Sequence, residues 1–436
     1  MTVIGSDKDL QDQIFILVTG ANSGLGFSIC CRLVDDFLRN RPDSQSLTVL
    51  FTTRSTRKGN DTISRLQEHL RTTTQDPTAL KRVSFVPENV DLMDLVSVRA
   101  LSRRLVETIP KLDSIILNAG LGGWTGLNWP EAIWGVLTDL VHQVSWPTYK
   151  IAPVGMVTDN QLSGVDEPRL GSIFCANVFG HYMLAHNVVP LLKRSGNPNG
   201  PGRIIWVSSI EATIDLFNVD DIQGMRTAAP YESSKALTDV LALTSNLPST
   251  APWVKSFYSL DKDDESNPPP QPNMYLTHPG ICGTGILPLS SILFYAMMSS
   301  FLLARLLGSP WHTISTYMGA CAPVWLALSA QALLDDAESP YQRNGGGRAK
   351  WGSACTNFSG GDHPASTEVD GWGYGGVVGS AVVEADRSRR RKRGAKDLSV
   401  EDKERFEDLG RQCWQKMEEL RIQWDELLDK AEVQSN

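Results

Sequence analysis

The sequence predicts an α/β fold: a doubly wound parallel sheet with insertions and a C-terminal helical extension. Three observations predict it. Short apolar runs alternate with helically spaced segments through most of the chain, the pattern of strands joined by crossover helices. The first apolar run ends in a glycine cluster that opens directly into a helical stretch. Residues 398–432 then form a charged helical segment, with Phe406, Leu409, Trp414, Met417, Leu420 and Trp424 on one apolar stripe.

The elements follow in order. Residues 14–18 (IFILV) read as a buried strand, and 25–39 as the helix behind it. Residues 47–53 give a second strand, 60–71 an exposed helix, 83–86 a third strand and 95–108 another helix. Residues 112–117 are a fourth strand. After an insert at 121–170 with Trp124, Trp129, Trp134 and Trp146, residues 173–192 read as a long helix. Residues 203–208 are a fifth strand, 231–245 a helix and 274–277 a sixth strand. Residues 261–272 (DKDDESNPPPQP) are a polar, proline-rich surface loop. These boundaries give one extended α/β domain at 12–335, including the apolar segment 286–307. A glycine-rich, basic stretch at 338–396 is expected to be a mobile loop, followed by the helix at 398–432.

Composition narrows the function. The chain has 436 residues, 41% hydrophobic and 21% charged, which is ordinary for a globular protein. A formal net charge of −8 argues against a general nucleic-acid surface. The cysteines at 30, 31, 175, 282, 321, 355 and 413 match neither a zinc site nor a disulfide framework, so no metal is expected and reduced thiols are. The polar N-terminus lacks the apolar core of a secretory signal.

The glycine cluster is Thr19-Gly20-Ala21-Asn22-Ser23-Gly24-Leu25-Gly26. Glycines there permit a tight turn and a close backbone approach to a pyrophosphate, while the helix that follows offers free N–H groups and a positive dipole end. A plain glycine turn is the alternative. The second strand ends Thr52-Thr53-Arg54, with no acid to hold ribose hydroxyls, so Arg54 is expected on a 2′-phosphate and the cofactor is expected to be NADPH. A solvated surface arginine is the other reading. Asp91 after the third strand can meet the adenine amino group. Asn118-Ala119-Gly120 ends the fourth strand at the sheet's carboxyl edge, where open α/β sheets bind ligands.

Tyr231 and Lys235 are four apart on one helix and share a face. A phenol near pKa 10 is a poor acid or base at neutral pH, and a nearby ammonium favours its phenolate. Ser208 and Ser209 end the fifth strand. Ser209 is assigned to the site, polarising a carbonyl, with Ser208 facing the core. Asn177, inside a helix it disfavours, is expected at a kink whose water relays protons to Lys235. Pro279, Gly280 and Thr284 close the sixth strand, Thr284 being able to hold the nicotinamide carboxamide.

These motifs together (TGANSGLG, NAG, the Ser209–Tyr231–Lys235 trio and PGICGT) resemble the Rossmann-type short-chain dehydrogenases/reductases over roughly residues 12–290. The interval between Ser209 and Tyr231 is longer than that family's usual one. More closely, WPTYKI at 146–151, ANVFGHY at 176–182, YESSK at 231–235 and ARLLGSPWH at 304–312 resemble the 3-keto-steroid reductases of fungal sterol (ergosterol) synthesis. That resemblance implies NADPH-dependent reduction of a 4-demethylated 3-keto sterol to its 3β-alcohol. It also implies work at the endoplasmic reticulum or lipid droplets beside other carbon-4 demethylation enzymes. A 17β-hydroxysteroid or retinol dehydrogenase, or a non-catalytic scaffold, are the rival readings.

Residues 286–304 (ILPLSSILFYAMMSSFLLA) carry no charge. They could lie in a membrane interface, cover the substrate site or span a bilayer, and the first is the reading adopted, with peripheral attachment at the cytosolic face. The basic cluster at 387–396 reads as a solvated loop, with anionic lipid or a nuclear address as alternatives.

Overall fold

The computed structural model describes residues 10–162, 166–196, 200–259, 270–287, 289–357 and 361–435. Most of the proline-rich 261–272 loop, and Pro288 in the apolar run, lie outside these residues.

Eight strands form one sheet: β1 (Gln13–Val18), β2 (Ser46–Thr53), β3 (Val83–Asn89), β4 (Ser114–Leu117), β5 (Arg203–Val207), β6 (Asn273–His278), β7 (Lys350–Cys355) and β8 (Asp362–Thr367). Their order is β8-β7-β6-β5-β4-β1-β2-β3. All neighbours are parallel except β7 and β8. The chain runs outward from β1 to β3 and returns to β4 on β1's other side. The carboxyl ends of β1 and β4 therefore flank the switch point where such sheets hold ligands.

The helices that cover the sheet or frame the site are α1 (Gly24–Asn40), α2 (Thr56–Thr73), α3 (Leu95–Thr108), α4 (Trp129–Thr138), α5 (Gly180–Asn187), α6 (Pro230–Thr244), α7 (Ser291–Leu306), α8 (Cys321–Leu328), α9 (Gln331–Arg343) and α10 (Val400–Ser435). α3, α5 and α6 pack on one sheet face under α10, and α1, α2, α8 and α9 cover the other. Strands β1, β4 and β5 are buried along their whole length or nearly so because both faces are covered, which is why they read as unbroken apolar runs.

α10 docks its apolar stripe on the helix carrying Tyr231 and Lys235. Phe406, Trp414, Met417 and Trp424 are buried, and the Trp414 indole donates to the Leu241 carbonyl at 3.1 Å.

The structure corrects the reading of residues 338–396. In place of a mobile loop, this stretch holds the end of α9, then β7 and β8, which extend the sheet by two strands and carry the domain past residue 335. β7 reads Lys-Trp-Gly-Ser-Ala-Cys; all six residues are buried, yet it has neither the apolar run nor the β-branched content that marks a strand. The basic cluster is pinned rather than solvated: Arg389 pairs with Asp386, Arg391 with Glu368 and Lys392 with Asp370. The predicted long helix at 173–192 is also broken, by a π-helical turn at Cys175–Phe179.

Candidate active site

The glycine loop turns off β1 into α1. Gly20 has φ +70°, open to glycine at little cost. A Cβ on Gly26 would collide with the Gly20 carbonyl and the Asn118 amide, so only glycine lets the loop fold back on the strand end. The Thr52 hydroxyl accepts the Gly20 N–H at 3.1 Å, and the Thr52 carbonyl accepts that of Ala21 at 3.0 Å. Thr19 joins the loop to the end of β4: its hydroxyl oxygen accepts the N–H groups of Asn118 (2.8 Å) and Ala119 (3.0 Å), while the Asn118 amide donates to the Thr19 carbonyl at 2.9 Å.

These residues open onto a cleft of about 920 Å³ that runs from the loop to a mouth between α4 and α7. Asn22, Ser23, Gly24 and Leu25 line it with Arg54, Asp91, Gly120, Pro279, Gly280 and Thr284. Arg54 is exposed at the end of β2. Thr284 lies across from Gly24, where an added Cβ would stand 4.0 Å from its methyl group. The Asp91 carboxylate accepts the Met93 N–H at 3.0 Å. The turn after β6 is held by His278, whose Nδ1 accepts the Gly280 N–H at 3.0 Å and whose Nε2–H donates to Thr367 at 2.7 Å. Burial holds this imidazole neutral, well below its ordinary pKa. In the ARLLGSPWH string, Arg305 donates to the carbonyls of His312 (2.8 Å) and Thr313 (2.6 Å), and Trp311 packs edge-on against His278. The string thus fastens α7 to that turn.

Tyr231, Lys235 and Ser209 meet on the same cleft wall. Burial, then the Glu211 carboxylate, push the Tyr231 phenol above its ordinary range, and a hydrogen bond with Ser209 opposes them. Lys235 donates to the Val207 carbonyl at 2.9 Å. Burial lowers its ammonium to about 8; Asp239 resists and Lys350 adds to the fall. Ser208 turns inward and bonds to Asp239, leaving Ser209 to face the cleft.

Asn177 sits in the π-helical turn, its side-chain oxygen and the Lys235 ammonium both lying close to Gly120. Its oxygen accepts the Leu121 N–H at 2.7 Å; its amide donates to the Leu121 carbonyl and to Ser234, both at 3.0 Å. The side chain is filled by these partners and clamps the loop after Gly120, and the expected kink is present as the π turn. The His181 Nδ1–H donates to the Asn177 carbonyl at 3.3 Å, so its Nε2 accepts from the Thr19 hydroxyl at 2.8 Å. The π turn is thereby tied to the glycine loop.

Further residues frame the site. The Trp124 ring packs on Tyr231 with centroids 4.6 Å apart. Lys150 lies 3.7 Å over that indole, paired with Glu211 and with Glu232 at 3.2 Å. Both Trp124 and Lys150 come from the insert, and Lys150 lies within WPTYKI, so the string marks the place without giving the role. Asp239 is four residues past Lys235 and could have been found by helical period; Lys350, in the weakly patterned β7, gave no local signal.

The fold and this cleft define the class: an oxidoreductase of the short-chain dehydrogenase/reductase type. No family model matches the chain. The 3-keto-steroid reductase erg27 of Aspergillus fumigatus is 71% identical over 442 residues, covering 99% of this chain and 98% of that protein. The 3-keto-steroid reductase ERG27 of Gibberella zeae is 39% identical over 461 residues, covering 96% and 95%. The chain belongs to the 3-keto-steroid reductase family. Among solved structures, a 7α-hydroxysteroid dehydrogenase complexed with NADH and 7-oxo glycochenodeoxycholic acid is 16% identical over 76% of this chain and 92% of that one, with a TM-score of 0.40.

Proposed function

We propose that the protein reduces the 3-keto group of a 4-demethylated sterol to the 3β-alcohol with NADPH as the reductant. The observation that carries this reading is the convergence of Tyr231, Lys235 and Ser209 on a cleft that begins at a glycine loop and ends between two apolar helices. The residues fit the cofactor. Gly26, with no side chain, lets the glycine loop fold back on the end of β1, and the end of β2 presents Arg54 and no carboxylate. NADPH, when bound, supplies a hydride to carbon 3.

The loop N–H groups and the α1 N-terminus take the pyrophosphate, Arg54 the 2′-phosphate and Asp91 the adenine end. The Ser209 hydroxyl holds the carbonyl oxygen, and Tyr231 gives that oxygen its proton. A raised phenol pKa keeps the proton on Tyr231 until it is needed. Lys235 and Ser209 then stabilise the phenolate left behind. Trp124 packs on the phenol ring, and Lys150 on that indole, so the ring is held in place.

The cleft mouth also supports peripheral attachment to the cytosolic face of the endoplasmic reticulum or to a lipid droplet, near other carbon-4 demethylation enzymes. On α4, Trp134 is 72% exposed, with Trp129, Ile133 and Leu137 beside it; on α7, Ile292 is 82% exposed, with Tyr295 and Leu303. α7 also lines the cleft with Leu293, Met297 and Phe301, so a sterol leaving a lipid surface enters without crossing water. Among the described residues, no single helix is long and apolar enough to cross a membrane.

The test is turnover of a 4-demethylated 3-keto sterol, a 17-keto steroid and retinal, each with NADPH and with NADH. The sterol with NADPH should give the highest kcat/KM; preference for either other carbonyl, or for NADH, overturns the reading.

A further inference from the structure

Behind the catalytic wall lies a second buried cation that this chemistry does not use. Lys350, the first residue of β7, is 3% exposed and Asp239 is 1% exposed. The Lys350 ammonium donates to the Ser209 carbonyl at 2.7 Å and is paired with one carboxylate oxygen of Asp239. The other carboxylate oxygen accepts the Ser208 hydroxyl. Asp239 stands on the same face of α6 as Tyr231 and Lys235, at successive steps of four residues. One ion pair therefore grips both serines at the end of β5 and links them to the catalytic helix.

A buried pair that only filled space could be replaced by apolar side chains at little cost. This pair instead spends its bonds on the backbone of Ser209 and the side chain of Ser208.

We propose that Lys350, with Asp239, is a positioning residue of the reducing site: it fixes the Ser209 backbone so that its hydroxyl meets the substrate carbonyl, and its charge faces Lys235 across Asp239. The inference rests on the proposed reduction, with Ser209 as the carbonyl holder. It gives the β7–β8 extension a function, since this strand delivers the ammonium.

The charged and titratable groups around the pair are Lys235 and Tyr231 on α6, His181 on α5 and His278 at the end of β6. Burial keeps both imidazoles neutral. Lys235 is therefore the group that responds when either member of the pair is changed. Removing Lys350 takes away a repelling cation and leaves Asp239 to hold Lys235 protonated. Removing Asp239 takes away the attracting anion. The two changes must act on Lys235 in opposite directions.

The experiment compares the parental enzyme with Lys350→Met, Asp239→Asn and the charge-balanced double variant, using the 3-keto sterol and NADPH across pH. Lys350→Met should lower kcat on the order of 10- to 100-fold through misplacement of Ser209, with KM for NADPH unchanged. The alkaline limb of kcat/KM should move up in Lys350→Met and down in Asp239→Asn. The double variant removes the Lys350–Asp239 pair without leaving either partner's charge stranded, so it keeps the test alive if Lys350→Met fails to fold; its kcat should stay low. Parental kcat in the double variant, or single variants whose alkaline limbs move together or not at all, overturns the proposal. Failure of the parental enzyme to reduce the sterol would instead overturn the proposed function, and the two results cannot be confused.

Discussion

Replacing Lys235 with methionine should abolish reduction and yet make the protein more stable at neutral pH. The ammonium is buried, and its folded-state pKa falls from 10.5 to about 8. That difference penalises the charged form by about 3 kcal/mol at pH 7. Methionine removes the penalty but forfeits the hydrogen bond to the Val207 carbonyl, worth about 1 kcal/mol. It also leaves Asp239 with Lys350 alone, so the net gain should be about 1 to 2 kcal/mol. The pH dependence carries the sign. The folded value lies below the unfolded one, so the penalty is fully present below about pH 8 and fades as pH climbs toward 10.5. By about pH 9.5 only about 1 kcal/mol of it should remain. Urea unfolding of both proteins at pH 7 and about pH 9.5, with the midpoint and slope fitted separately, reads the difference directly. A variant less stable than the parent at pH 7, or an advantage that does not shrink with pH, would refute the view that this site stores desolvation cost for the sake of function.

Three other outcomes are expected. Tyr231→Phe should lower kcat by on the order of 10³-fold or more while NADPH binding, followed by quenching of tryptophan fluorescence, stays near the parental affinity. Arg54→Ala should raise KM for NADPH about 10- to 100-fold, the value of a charge-assisted bond to phosphate, and leave KM for NADH nearly unchanged. Trp134→Glu combined with Ile292→Glu should reduce co-sedimentation with phosphatidylcholine vesicles, with turnover of a detergent-solubilised sterol retained, because neither side chain lines the cleft.

The nucleotide half of the molecule was legible because its constraints are local. The turn at Gly20 and the contact under Gly26 demand particular residues at fixed spacing, and β1, β4 and β5, buried on both faces, announce themselves as apolar runs. Tyr231 and Lys235 were legible for the same reason: one helix places them. The rest depends on contacts across long sequence separations. The Ser209 carbonyl takes its donor from Lys350, and Tyr231 takes its covering ring from Trp124. Nothing near Lys350 distinguishes it from a surface lysine, because β7 is built of residues that pair well only once β6 and β8 stand on either side. Asn177 was legible for a local reason, an asparagine inside a helix, but its bonds to Leu121 and Ser234 were not, because they join it to segments distant in sequence.

The charges around Tyr231 explain why the site suits reduction. Three lysines, Lys150, Lys235 and Lys350, stand with three acids, Glu211, Glu232 and Asp239, all buried but the half-buried Lys150 and Glu211, so the cluster is balanced in formal charge while the phenol keeps its proton. Burial disfavours ionising Tyr231, the phenolate would add a negative charge to a wall that already faces Glu211, and the phenol's pKa is pushed up accordingly. The proton is thus held on the group that must deliver it, and the phenolate formed on delivery is a high-energy base that recovers a proton readily. A site working in the oxidising direction would need the opposite, a phenol ready to lose its proton before alcohol binds. Neutralising Glu211 should therefore narrow the bias. In Glu211→Gln, the rate of alcohol oxidation with NADP⁺ near pH 7 should rise relative to ketone reduction, and an unchanged ratio would remove electrostatic balance as the cause of directionality.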